Sequence, residues 1–294
     1  MTLRPLQFLI IAAAGLCFSV DATESEPKSA TGIERIQLAT NGKSISPGEE
    51  ITVALVMVPA PGYHIYWRGP GIVGVAPVIK WILPDGFEPG PIEWPVPEKV
   101  DMAGIVANGY KSETWLLTRI RCPGEIQGDT ITFQAECAWM ACAKSCHPNM
   151  DSLSLVLPVT DRESETESEL TERFANVRSN LPSPAPPSWK QEVKLAAKNQ
   201  IDLTLTIPGF PREGESSFTF FCEDMQVDSD SPMTPRWIDR ASGILRISFV
   251  RPDFAPKNPA RFSGLLHSSL PFPESGSHWA ELSLPWPKGV FPDE

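Results

Sequence analysis

Sulfur is concentrated in the segment AECAWMACAKSCHP, residues 135–148, beside aromatic and cationic side chains. The segment contains Cys137, Cys142 and Cys146, half of the six cysteines in the chain. The Cα atoms of Cys142 and Cys146 would lie about 13 Å apart in an extended chain but about 6 Å apart across a helical turn. Because a disulfide requires Cα atoms within about 7 Å, the spacing predicts that the chain turns here if the two cysteines pair.

A disulfide between Cys142 and Cys146 would stabilise the fold only weakly. In the chain-entropy model, closing a ring of about five residues stabilises a protein by only about 2 kcal/mol, against about 5 kcal/mol for a hundred-residue loop. A short, exposed bridge instead exchanges readily with thiolates, and Lys144 and His147 supply positive charge that could stabilise a leaving thiolate. The spacing therefore favours a redox-active pair, with an inert structural disulfide as the alternative.

Binding of a soft metal is another alternative for this segment. Copper(I) accepts two or three sulfur ligands and could be held by Cys142 and Cys146 together with Met140 or His147. Zinc fits less well, because the adjacent Cys146 and His147 would struggle to reach one tetrahedral ion and the spacing matches no zinc knuckle. Disulfide exchange, the favoured interpretation, requires no metal and no other cofactor.

The other cysteines are predicted to be buried thiols. Cys137 continues the alternating series of Ile131, Phe133 and Ala135, so it is expected to pack as a small hydrophobic residue. A disulfide between Cys137 and Cys122 is the alternative. Cys222 lies in the apolar sequence TFFCED and is expected to be buried as well.

Strands are predicted on both sides of the cysteine segment. Apolar and polar residues alternate in TITFQAE, residues 130–136, and in SLSLVLP, residues 152–158, as in half-buried antiparallel strands. The run ITVALVMV, residues 51–58, is uniformly apolar and suits a strand covered on both faces. The 31 prolines, many beside glycines, indicate short strands and frequent turns.

The amino-acid composition of the chain changes after Leu157. Residues 161–187 begin as an acidic stretch and end rich in proline, which predicts a helix of about twelve residues followed by a linker. Alternation then returns, and we expect an all-β protein of two β-sandwich domains, at residues 23–160 and 188–294, joined by this segment. The strand candidates of the second domain are IDLTLTI, FTFF, GILRISF and AELSL.

The amino terminus predicts where the protein is located, and the net charge excludes one class of partner. Arg4 and an apolar run up to Val20 predict a secretory signal peptide over residues 1–22, cleaved near Ala22, and hence an exported or periplasmic protein. No later apolar run is long enough to span a membrane. The net charge of −11 argues against nucleic acid as a partner. Motifs of hydrolases and phosphate-binding loops are absent from the sequence.

Between Gly32 and Leu157 the sequence resembles the amino-terminal periplasmic domain of the DsbD family of thiol:disulfide reductases, and more closely its ScsB-like branch. The region from Ser188 onward, with FTFFCEDMQVD and FSGLL, resembles the second β domain of that branch. The residues that carry the first resemblance are Gly62, Trp67, Pro70, Gly71, Trp81, Pro84, Trp94, Pro95, Pro97, Gly109, Tyr110, Trp139, Cys142, Cys146 and Pro148.

The resemblance implies immunoglobulin-like β-sandwiches and a redox role for Cys142 and Cys146. By analogy, Cys146 would be attacked to form a mixed disulfide, which Cys142 would resolve. The implied partners are a membrane electron-donor reductase and an oxidised thioredoxin-like periplasmic client, in the setting of cytochrome c biogenesis or copper tolerance. Two features depart from DsbD: the paired cysteines are closer together here, and the chain ends at Glu294 without a transporter or thioredoxin-like domain, so a separate polypeptide is expected to be the donor.

In this family an aromatic loop shields the cysteine pair. Tyr63, Tyr66 and Trp67 are candidates for such a lid, together with Trp139. Packing in the core is the alternative for these residues, and it is favoured for Trp67, Trp81 and Trp94. His64 has no nucleophile or base beside it in sequence and is predicted to be a surface or hydrogen-bonded polar residue. The remaining functional alternative is a non-enzymatic interaction module in which the disulfide is purely structural.

Overall fold

Runs of alternating apolar and polar residues form strands along most of the chain. The computed structural model describes residues 23–161, 168–196, 199–211 and 216–287. Within these ranges the protein consists of antiparallel sheets and one helix, so the all-β prediction is confirmed. The predicted signal peptide and residues 162–167 of the acidic stretch lie outside the described residues. No helix in the described part of the chain is long and apolar enough to cross a membrane.

The first half of the chain forms three sheets. The strands are β1 Lys28–Ala30, β2 Ile33–Thr40, β3 Glu50–Pro59, β4 Ile65–Tyr66, β5 Val78–Ile82, β6 Glu88–Glu93, β7 Glu98–Met102, β8 Ile105–Tyr110, β9 Thr114–Arg121, β10 Thr130–Cys142 and β11 Cys146–Pro158. The strand orders of the three sheets are β1-β2-β3-β9-β6, β11-β10-β5 and β4-β8-β7.

The core of this half lies between the five-stranded sheet and the sheet of β10 and β11. Ile131, Phe133 and Ala135 of β10 are buried, whereas the residues between them are exposed. Leu153 and Leu155 of β11 are buried in the same core. The period-two pattern therefore identified the inward face of both strands correctly.

Strand β3 is covered on both faces, as its continuous apolar sequence predicted. Helix α1, Ser168–Ser179, lies inside the segment expected to contain a helix. Its Leu170 and Phe174 pack against Ala54 and Val56 of β3, and the ring of Phe174 meets that of Trp115 edge-on at 5.2 Å. A separate apolar cluster therefore fills the outer side of the five-stranded sheet.

The second half has its own aromatic core. Phe220, Phe249 and Phe262 contact one another through their rings in this core. The strands are β12 Lys190–Ala196, β13 Gln200–Thr206, β14 Phe218–Cys222, β15 Thr234–Asp239, β16 Ile244–Val250, β17 Arg261–Ser268 and β18 Trp279–Pro285. They form two sheets with strand orders β12-β13-β16-β15 and β14-β17-β18. The exact domain boundaries given above stay predictions.

Polar and apolar contacts join the two halves. The Arg68 guanidinium lies 2.5 Å from a Glu281 carboxylate oxygen and 3.2 Å from one of Glu223. The ring of Trp67, fully buried, meets Phe221 edge-on at 6.5 Å. These contacts lie directly after β4, the strand that reaches the cysteine pair, so the second half supports the segment leading from the site.

Candidate redox site

Cys142 and Cys146 form a disulfide at the tip of the hairpin of β10 and β11. The two residues are cross-strand partners, with Cα atoms 4.2 Å apart, and only residues 143–145 connect them. The turn that the spacing required is thus confirmed. The cysteines themselves belong to the strands and not to the connection, because the two 13-residue strands stay in register up to the bridge.

The two sulfur-bearing residues differ in exposure. Cys142 is fully buried, whereas Cys146 is half-buried. Burial of Cys142 follows from its backbone, which exchanges two hydrogen bonds of 2.9 Å with His64 just before β4. The bridge is therefore less exposed than expected, because Cys142 is buried and Cys146 only half-buried. A reagent from outside meets Cys146 first.

An apolar pocket encloses the disulfide on its inner side. Tyr66, Val100 and Ala107 are buried around Cys142. Tyr66 lies beneath Cys146 and its hydroxyl approaches the Cys146 Sγ at 3.9 Å, where it alone can donate because a disulfide carries no proton. Burial raises the pKa of Tyr66 to about 12, so this hydroxyl keeps its proton at neutral pH.

Met102, which the sequence analysis missed, covers the half-buried cysteine. Its Sδ lies 3.5 Å from the Cys146 Sγ. Met102 ends β7, and the two-residue turn to β8 consists of Ala103 and Gly104, both at positive φ, 52° and 91°. Such a tight turn brings the methionine to the bridge. Nothing in the local sequence signals this contact, because it joins residues more than forty positions apart.

The predicted aromatic lid residues occupy different surroundings. The Tyr63 ring lies 5.9 Å from that of His147, beside the bridge. Tyr66 and Trp67 are fully buried, and Trp139 is buried in the main core. Trp139 is three positions from Cys142 and thus on the opposite face of β10, which corrects its assignment to the surroundings of the pair. Trp67 lies in the core, and Trp81 and Trp94 pack against it, as expected.

A groove of about 640 Å³ runs alongside the hairpin tip. Its lining includes Tyr63, His64, Asp101, Lys111 and Lys144. The predicted cationic neighbours are thus both at the tip: Lys144 is exposed, and the half-buried His147 places its Nε2 3.0 Å from the Ser145 hydroxyl. The groove gives an approaching chain a polar surface next to Cys146.

His64 is buried, which corrects the prediction of a surface or hydrogen-bonded residue. Only 3% of it is exposed, and its Nε2 has no hydrogen-bond partner among the described residues. Its ring meets Tyr66 edge-on at 5.1 Å. Burial lowers the His64 pKa, Lys111 lowers it further, and Asp101 opposes the change. The backbone pairing with Cys142 accounts for this burial, and no sequence pattern indicates it.

Cys122, Cys137 and Cys222 are free and buried, as predicted. The alternative disulfide between Cys122 and Cys137 is therefore wrong. Burial raises the pKa of Cys122 to about 11 and that of Cys137 to about 12, with Glu49 and Asp151 adding to the respective shifts. Since the thiolate is the reactive form, these thiols are poor nucleophiles.

Part of this chain is similar to a known family of thiol:disulfide interchange proteins. Residues 37–158 match the family described as thiol:disulfide interchange protein DsbD, N-terminal. The N-terminal periplasmic domain of ScsB from Proteus mirabilis is similar in structure, with a TM-score of 0.59 and 17% identity over 90% of this chain and 99% of that one. A conserved domain protein from Bacillus anthracis has a TM-score of 0.28 and 10% identity over 85% and 78%. A search of curated proteins found no match.

The fold and the site thus define an all-β, immunoglobulin-like protein with a disulfide at a hairpin tip. Within it, residues 37–158 form a DsbD-like N-terminal domain, which confirms the resemblance seen in the sequence. The family match and the disulfide together support thiol–disulfide exchange as the general activity, with other redox proteins as partners.

Proposed function

We propose that this protein relays electrons in the periplasm, through Cys142 and Cys146, from a membrane reductase to an oxidised thioredoxin-like client. The observation that carries the proposal is the unequal exposure of the two cysteines, with Cys142 fully buried and Cys146 half-buried next to Ser145, which lines the groove. A bridge that served only as a brace would need no such asymmetry.

Reduction of the bridge begins at Cys146. A thiolate of the donor attacks the Cys146 Sγ, the bond between Cys146 and Cys142 breaks, and its electron pair leaves on Cys142 as a thiolate. The second donor thiolate then attacks the donor sulfur of this mixed disulfide. The donor departs with its own disulfide, and Cys142 and Cys146 are left as two thiols after taking up two protons.

Transfer to the client is the reverse sequence. The Cys146 thiolate attacks the client disulfide and forms a mixed disulfide, and one client sulfur leaves as a thiolate. Cys142 then attacks Cys146, which restores the bridge and releases the client with two reduced cysteines. Cys142 is close enough for this step because the hairpin holds the two Cα atoms 4.2 Å apart.

The surroundings of the pair favour exchange at Cys146. The Tyr66 hydroxyl can donate to the sulfur as negative charge develops, and Lys144 adds positive charge at the tip. The neighbouring groove carries both signs of charge, from Asp101, Lys111 and Lys144, and is the surface on which we expect a partner to dock.

Trapping of the mixed disulfide tests the proposal. Cys142→Ser should form a stable mixed disulfide through Cys146 with an oxidised thioredoxin-like probe, because the resolving thiol is missing. Cys146→Ser should form little or none, since Cys142 is buried. Non-reducing electrophoresis and mass spectrometry of the cross-linked peptides identify the product.

The reduction potential of the wild-type Cys142–Cys146 disulfide distinguishes a redox-active pair from a structural disulfide. We expect a value above about −300 mV, whereas structural disulfides lie below it. A potential below that limit, with no adduct from Cys142→Ser, would favour the interaction module with a structural disulfide.

A further inference from the structure

Three sulfur atoms from three different strands meet at the hairpin tip. The Met102 Sδ of β7 lies 3.5 Å from the Cys146 Sγ of β11, and Cys146 is bonded to Cys142 of β10. Met102, Met140 and Cys146 all pack against the apolar pocket around Cys142, and Met102 is the methionine whose sulfur lies at the Cys146 Sγ. Disulfide exchange requires only the two cysteines, so it leaves the thioether contact unexplained.

Reduction of the disulfide would allow these three sulfurs to adopt the spacing of a trigonal metal site. Bonds of about 2.3 Å from an ion to each sulfur place the sulfurs of such a site about 4 Å from one another. The observed separation of Met102 and Cys146 is within about half an ångström of that value. Two thiols freed from a disulfide on paired strands move apart towards it through side-chain rotation.

The ligand set selects a soft monovalent ion. Copper(I) prefers thiolate and thioether sulfur as ligands and is stably bound by three of them. Zinc in structural sites is almost always bound by four ligands, so it would need one more ligand beside these three sulfurs, and the described residues contain no group of three or more His, Cys, Asp or Glu side chains able to hold a metal. Val73, Val100 and Ala107 in the pocket wall offer no further ligand, and Tyr66 offers only its hydroxyl.

We propose that the reduced protein binds one copper(I) ion through the Sγ atoms of Cys142 and Cys146 and the Sδ of Met102. Two thiols lose their protons to solvent and no electron is transferred, so the dithiol plus copper(I) gives the complex plus two protons. The half-buried Cys146 provides the entry path. The proposal rests on the reducible pair of the proposed function and adds a second role for it, since ligation and the disulfide exclude each other.

A competition titration tests the site. The protein is reduced anaerobically with a phosphine, desalted, and titrated into copper(I) held by the chromophoric chelator bicinchoninate. We expect the reduced protein to remove one equivalent of copper, and the oxidised protein and the Cys142→Ser/Cys146→Ser double variant to remove none. The double variant keeps Cys122, Cys137 and Cys222, so copper bound by that variant would assign the metal to those thiols and overturn the proposal.

Methionine variants test the third ligand. Met102→Leu keeps the shape of the side chain and removes the sulfur, and it should weaken copper(I) binding at least about tenfold, the loss that even an outer-sphere partner causes. Met150→Leu is the matched control, because Met150 lies on β11 but is 83% exposed, and it should leave the affinity unchanged. X-ray absorption should find three sulfurs around the ion in wild type and two in Met102→Leu.

The outcomes separate this proposal from that of disulfide exchange. If the pair is reduced and forms mixed disulfides but the protein removes no copper, the metal site is refuted and the exchange function stands. If copper binds to the dithiol but Cys142→Ser yields no mixed disulfide, the exchange function is refuted. Equal affinity of wild type and Met102→Leu, with an unchanged sulfur count, would overturn the role of Met102.

Discussion

Three side chains around the disulfide have different roles. The Tyr66 hydroxyl stays protonated and lies at the Cys146 sulfur, Met102 covers that sulfur from the β7–β8 turn, and His64 fills the space beside Tyr66. His64 is unusual because burial leaves its Nε2 without a partner among the described residues. A buried group without a hydrogen-bond partner is energetically unfavourable when charged. Protonation of His64 should therefore destabilise the folded protein.

The buried His64 should make the fold less stable in mild acid. Its pKa is lowered in the folded protein from an ordinary value of 6.5, so the unfolded chain binds a proton more readily. The stability is therefore fully present above about pH 6.5 and is lost as the pH falls through the folded-state pKa. His64→Phe, which keeps a ring against Tyr66, should flatten this loss. Denaturant unfolding at pH 7.5 and 5.5 measures it.

The comparison between wild type and variant isolates His64. Burial also lowers the pKa of His267, but that contribution is present in both proteins and cancels. Ile65→Val, a change without titration at the next residue, is the control and should retain the wild-type pH dependence. An identical acid loss in wild type and His64→Phe would show that His64 does not change its protonation on folding.

At the residue scale, sequence reasoning identified the disulfide pair and neighbours such as Tyr66, but it missed Met102 and the burial of His64. Cys142 and Cys146 were identified by their spacing, which is a local property. Met102 reaches Cys146 across 44 positions and His64 pairs with Cys142 across 78, through a turn and a single backbone bridge. Neither contact leaves a periodic pattern, so it becomes visible only once the strands are assembled.

At the scale of elements, the long strands were predictable and the short one was not. Apolar and polar residues alternate over many positions in β10 and β11, and β3 is uniformly apolar. The sequence therefore predicted which faces of these strands are buried. β4 has only two residues, too few for any period. It nevertheless positions Tyr66, because Tyr66 pairs with Gly109 of β8.

Gly109 should be required for this positioning. A Cβ at residue 109 would lie 2.1 Å from the backbone oxygen of Ile65, an approach that only a shift of β4 could relieve. Gly109→Ala should therefore cost about 1–3 kcal/mol of unfolding free energy and slow exchange at Cys146 by moving Tyr66. Denaturant unfolding and the rate of mixed-disulfide formation measure the two effects.

Gly124→Ala is the matched control for Gly109. Residue 124 is exposed and a Cβ there meets no atom within 4 Å, so the change should stay within about 0.5 kcal/mol. Equal stability of the two variants would mean that β8 and β4 adapt to the added carbon, and that Tyr66 is held by other contacts.

For the whole molecule, composition and alternation predicted two β-rich halves, and each half has its own apolar cluster. How the halves meet could not be predicted, because the contact depends on single side chains. Phe221 and Leu265 of the second half belong to the first cluster, and Ser229 donates from its hydroxyl to the Val106 carbonyl at 2.7 Å. The second half therefore shares part of the core that supports the site.

The Arg68–Glu281 ion pair should couple the two halves measurably. Its side chains are only 22% and 32% exposed, so solvent screens it less than an ordinary surface pair. A double-mutant cycle of Arg68→Ala and Glu281→Ala should give a coupling energy of about 0.5–3 kcal/mol. The same cycle for the exposed Lys80–Glu136 pair, 71% and 49% exposed, should give at most about 0.2–1 kcal/mol. Equal couplings from denaturant unfolding would show that the Arg68–Glu281 pair contributes no more than a surface contact, and that the other contacts between the halves, such as the packing of Trp67 against Phe221, hold them together.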